Sequence, residues 1–148
     1  MTRRLIALIA LSLLVVACGD DSTTATTTPV VPSPLVGTLH ISGGLEGTDE
    51  LWQLAGNGSV TGPNNETGRI SDADLTAIND ALVFAGFFGL DAQYMPEDTC
   101  CDRFTYTISI TDGEQSNTVT TIDAADAPDS LFALIDTFRA ALRSAITP

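Results

Sequence analysis

The chain has 148 residues, enough for one domain, with 19 acidic residues against 6 basic ones and no lysine. A net charge of −13 repels phosphate backbones and anionic headgroups, so it argues against nucleic-acid binding and against holding to a membrane by charge. What it favours is solubility and a basic partner.

In chain order, the first element is the apolar run Leu5 to Ala17 behind Arg3 and Arg4. A spanning helix needs about 20 apolar residues, so this run is too short to stay in a bilayer. Basic, apolar and small-residue sections in that order are the layout of a secretory signal peptide. The closing Leu14-Val15-Val16-Ala17-Cys18 resembles a bacterial lipoprotein lipobox. That resemblance implies cleavage after residue 17, a lipid on Cys18, and a cell-envelope protein held to a bacterial membrane by lipid alone, outside the cytoplasm. Arg3 and Arg4 leave with the signal, so 4 basic residues then face 19 acidic ones, a net charge of −15. Residues 18–34 are rich in threonine and interrupted by Pro29, Pro32 and Pro34. They hold too little apolar surface to offset the entropy of ordering, and read as a disordered tether.

The single folded domain is expected over 35–148. Leu39 and Ile41 alternate with Thr38, His40 and Ser42, a half-buried strand, and Gly43, Gly44 and Gly47 end it. Trp52 and Leu54 repeat the alternation over Glu50 to Leu54, so the two segments form a hairpin. Gly56 to Asn65 reads as a loop with a short strand near Val60. Ser71 and Asp74 resemble a capping box, and Leu75, Ile78, Leu82 and Ala85 then trace one apolar stripe of a helix that Gly86 stops. Phe87-Phe88-Gly89-Leu90 plugs the core behind it. Ala92 to Asp102 is a polar loop. Phe104, Tyr106, Ile108 and Ile110 form the clearest strand, Asp112-Gly113 turns the chain, and Thr118 to Ile122 returns it. Pro128 suits the first turn of a last helix with Asp126 as its cap, and Leu131, Leu134, Ile135, Phe138 and Leu142 give its stripe. The order ββαββα, with tight hairpins, predicts an α+β fold: an antiparallel sheet of about four strands with two amphipathic helices on one face.

Little in the chain points to catalysis. The single histidine, His40, stands alone on a strand, and neither G-x-S-x-G nor H-E-x-x-H occurs. Asp123, Asp126 and Asp129 lack the glycine and glutamate of a calcium loop, since Pro128 and Leu134 occupy those positions. With Cys18 lipidated, His40, Cys100 and Cys101 are too few for a zinc site, so no metal and no cofactor is expected. The adjacent Cys100 and Cys101 are open to three readings: a strained vicinal disulfide, two free thiols, or cross-links to another chain.

Several segments together resemble one family. Ile41-Ser42-Gly43-Gly44-Leu45-Glu46-Gly47 is similar to the I-S-G-G-x-x-G segment of emfourin-like protealysin inhibitors. Trp52 follows on the next strand, then Ala85-Gly86-Phe87-Phe88-Gly89-Leu90 at a helix end, Asp102-Arg103-Phe104-Thr105-Tyr106 on a strand and the leucine-rich helix from Leu131 to Leu142. The likeness runs over about residues 36–146. It implies a non-catalytic α+β inhibitor of thermolysin-like zinc metalloproteases, with the zinc belonging to the partner, here a secreted or surface protease. Trp52, Phe87, Phe88, Phe104 and Tyr106 read as core. Ser42, Gly43, Gly44, Leu45 and Gly47 are open to two readings: a protease-contacting loop, since a short rigid loop with Leu45 at its tip loses little entropy on binding, or glycines that simply permit a tight turn with positive φ. The other reading of the function is an envelope interaction module that keeps the fold without inhibiting anything.

Overall fold

A computed structural model describes residues 34–98 and 102–147. The signal segment 1–17, Cys18, the tether up to residue 33, and Cys100 and Cys101 lie outside the described residues. Among the described residues, seven strands and two α-helices make up the domain, with a single 3-10 turn at Phe87–Gly89: β1 Val36–Gly43, β2 Thr48–Leu54, β3 Ser59–Thr61, β4 Thr67–Arg69, α1 Asp72–Ala85, β5 Gln93–Tyr94, β6 Phe104–Thr111, β7 Ser116–Ile122 and α2 Asp129–Ile146. They form one sheet in the order β4-β3-β2-β1-β6-β7-β5. All pairings are antiparallel except β5 with β7, which is parallel.

The α+β class and the two helices match expectation; the sheet of about four antiparallel strands in ββαββα order does not. The four expected strands are its centre, β2-β1-β6-β7. Three short strands lie outside them; β3 is the short strand expected near Val60, while β4 and β5 have no alternation to be read in sequence. Apolar content in β3 is Val60 alone, and Thr67-Gly68-Arg69 has none. Main-chain bonds make them instead: Ala55 N–H donates to Ser59 O at 2.9 Å and Gly62 N–H to Glu66 O at 2.8 Å. Gly68 is required where β4 meets the end of α2, since a Cβ there would lie 1.8 Å from Ala145 O. β5 joins β7 inside the expected polar loop, with Thr120 N–H donating to Ala92 O at 3.0 Å.

Alternation decides which face is covered. Leu39 and Ile41 of β1, Trp52 and Leu54 of β2, Ile108 and Ile110 of β6 and Val119 of β7 point into one core. Ile78, Leu82, Phe87, Leu131, Leu134, Ile135, Phe138 and Leu142 meet them from above, with α1 packed along α2. Gly37 lets the Phe138 ring lie on β1, because a Cβ at Gly37 would stand 2.7 Å from it. Phe138 is fully buried, and removing such a ring costs about 3–5 kcal/mol. The other face is polar and open. Thr107–Thr120, Ser109–Thr118 and Thr111–Ser116 form hydroxyl rungs of 3.2, 2.8 and 3.0 Å across β6 and β7.

Helix ends follow sequence in one case and not in the other. Ser71 Oγ accepts from Asp74 N–H at 3.1 Å, and Gly86 closes α1 in the left-handed conformation. Asp126 does not cap α2; Pro128 holds the cap position itself, with no side-chain bond to the first turn. Asp129 in that turn still opposes the helix dipole, which offsets part of the missing cap. Of the five aromatics expected in the core, Trp52 and Phe87 are buried, while Phe88, Phe104 and Tyr106 are half-buried at its margin.

Candidate functional site

The β1–β2 turn collects the candidate contact residues at one end of the sheet. Glycines at 43, 44 and 47 take φ of +106°, +72° and +68°, values that disfavour any side chain with a Cβ. Gly47 N–H donates to Gly44 O at 3.1 Å, closing a turn around Leu45 and Glu46. Leu45 stands 83% exposed at the tip. Ser42 is half-buried at the end of β1, on the open face of the sheet. Ser42, Gly43, Gly44, Leu45 and Gly47 thus lie together at this end of the sheet.

What sequence did not show is how the turn is held. Gly44 N–H donates to Arg103 O at 3.1 Å, so the turn is pinned to the start of β6. The approach is close enough to exclude side chains: a Cβ on Gly43 would meet Arg103 O at 2.3 Å, and one on Gly44 would meet the Phe104 ring at 2.7 Å. Phe104 is fixed in turn by Asp123, whose Oδ2 accepts the Phe104 N–H at 2.9 Å while its own N–H donates to Phe104 O at 3.0 Å. Arg103, Phe104 and Asp123 are the residues missed. β1 and β6 are distant in sequence, and only their pairing, with Gly43 opposite Phe104, brings them together. The signal within reach was Asp123 itself, the first charged residue after a β-branched strand.

Below this brace lies a belt of charge. Glu50 Oε2 accepts from Arg139 Nη2 at 2.8 Å and from Trp52 Nε1 at 3.2 Å, joining β2 to α2. Burial alone would raise the Glu50 carboxyl, but the Trp52 and Arg139 bonds outweigh it and hold it below the usual carboxylate range. Tyr106 is pushed up to about 12 by burial and by the negative charge of Asp123. Arg143 lies 5.9 Å from the Trp52 ring centroid, over its face. His40 is on the opposite side of the sheet, its Nε2 2.6 Å from Asp49 Oδ1. Asp126 and Asp129 are exposed, and no group of three or more His, Cys, Asp or Glu among the described residues is placed to hold a metal. The arrangement presents an apolar side chain, Leu45, on a turn held by main-chain bonds.

A family model described as Emfourin matches residues 61–139, just over half of the chain. The span runs from the end of β3 into α2; it contains Arg103, Phe104 and Asp123 but not the turn they hold. No curated protein matches the chain.

Proposed function

Since this chain belongs to the emfourin family, a family of proteinaceous metalloprotease inhibitors, we propose that it is a non-catalytic inhibitor of thermolysin-like zinc proteases, carried on the cell envelope by a lipid at Cys18. The observation that supports this most is Leu45, 83% exposed on a turn whose backbone is already fixed. An exposed leucine has an unfavourable contact with water that a protease cleft relieves. A fixed turn adds little ordering cost to that gain. The zinc is the partner's. The acidic surface adds steering toward a partner of basic charge, an effect on association rate more than on affinity.

The test is titration of a thermolysin-like protease with the purified chain, read by peptide cleavage. Inhibition saturating near one-to-one is expected, together with recovery of the intact inhibitor. A full panel of such proteases left untouched would reject inhibition and favour the envelope interaction module.

A further inference from the structure

We propose that Asp123 is the positioning residue of the inhibitory turn, acting through Phe104 rather than touching a partner. This extends the inhibitor reading and rests on it only for the functional readout. β7 runs opposite β6 with Thr105 facing Ile122, so the next main-chain acceptor for Phe104 N–H is the carbonyl of residue 123. That acceptor is lost because the chain turns away there: Ala124 adopts φ +62° and Ala125 N–H donates to Ile122 O at 3.0 Å. The Asp123 carboxylate takes the vacant place, accepting Phe104 N–H at 2.9 Å. The Tyr106 ring lies 6.5 Å from that of Phe104.

The consequence reaches the turn through two contacts. Phe104 is adjacent to Arg103, whose carbonyl holds Gly44 N–H, and the Phe104 ring closes the space above Gly44. A shift of Phe104 by a few tenths of an ångström therefore moves both supports of Gly44 at once. The left-handed Ala124 makes the same point from the other side. A non-glycine residue in that region is unfavourable and persists only where its surroundings over-determine it. Here the strain places Asp123 where its side chain, not its carbonyl, faces Phe104.

The experiment is amide hydrogen exchange on the full chain, comparing wild type with Asp123→Ala and Asp123→Asn. In Asp123→Ala the amides of Gly44 and Gly47 should exchange at least about tenfold faster, while those of Asp112 and Gln115, in the turn at the other end of the sheet, keep their wild-type rates. Asp123→Asn retains an oxygen acceptor and should restore slow exchange at Gly44. Phe104→Leu, which keeps the main-chain bonds and removes the ring, should reproduce the acceleration. Inhibition should weaken about tenfold in Asp123→Ala, with no additional loss when it is combined with Leu45→Asp, because both act through one contact. Equal acceleration in both turns, unchanged exchange at Gly44 in both variants, or an additive double mutant would each overturn the assignment. Exchange needs no protease, so a wild-type chain that inhibits nothing would overturn the inhibitor reading and leave Asp123 to be decided by the amides.

Discussion

The β1–β2 and β6–β7 turns stand at opposite ends of the sheet and both reverse the chain through glycine, yet they are supported differently. The second turn is local. Asp112 N–H donates to Gln115 O at 3.1 Å, Asp112 Oδ1 accepts Gln115 N–H at 3.1 Å, and Gly113 takes φ +90°. Every one of those bonds joins residues three apart, and the tip is polar. The first turn is tertiary. Its Gly44 is bonded to Arg103 and roofed by Phe104, from a strand that arrives some sixty residues later in the chain. Its tip carries an exposed leucine, Leu45, beside Glu46. A local turn is sufficient to connect strands; one braced from outside keeps its shape when it has to hold an apolar side chain in water.

Glycine substitution should break this contrast most sharply. Gly43→Ala puts a Cβ 2.3 Å from Arg103 O at a positive φ, and about 3 kcal/mol of stability should be lost in urea unfolding. Gly113→Ala, strained in φ but in a local turn, should lose about 1–2 kcal/mol. Equal losses would mean that the brace contributes nothing. Leu45→Asp separates holding the turn from using it. Protease inhibition should fall about 30-fold or more, a hot-spot loss of about 2 kcal/mol. Thermal stability should stay within about 0.5 kcal/mol of wild type, because the side chain contacts mainly solvent. A Leu45→Asp chain that inhibits fully would remove the turn from the interface.

Glu50 offers a pH-dependent test of the same end of the molecule. Its folded carboxyl sits below the usual range, so its contribution is present above the unfolded value of about 4.3 and is lost as pH falls through the lower folded one. The stability gap between wild type and Glu50→Gln should be constant near neutrality and narrow below about pH 4.3. A gap that does not change with pH would show that the ion pair with Arg139 is not its source. His40→Ala should have the smallest effect. Its bond to Asp49 is on the open face and solvent-exposed, so stability should shift by under about 0.5 kcal/mol and inhibition should be unchanged. Weakened inhibition in His40→Ala would place the open face in the interface.

Residue order alone determined the parts of this protein that repeat with a short period. Period-two alternation marked β1, β2 and β6, β-branched content marked β7, and the stripes of Ile78, Leu82 and Ala85 and of Leu131 to Leu142 marked the buried sides of both helices. Ser71 and Gly86 bounded α1, because a cap needs only its nearest neighbours. The grouping of Ser42 to Gly47 was legible for the same reason: a turn is a local object. Tertiary structure alone decided the rest. β4 and β5 exist as hydrogen-bonding partners for strands already in place, and Asp126 lost its expected role when Pro128 took the cap. The brace of Arg103, Phe104 and Asp123 under Gly44 follows from the pairing of β1 with β6. Side-chain period reports which face of a segment is buried, but it carries no information on which distant strand will lie beside it, and that pairing is what stiffens the turn.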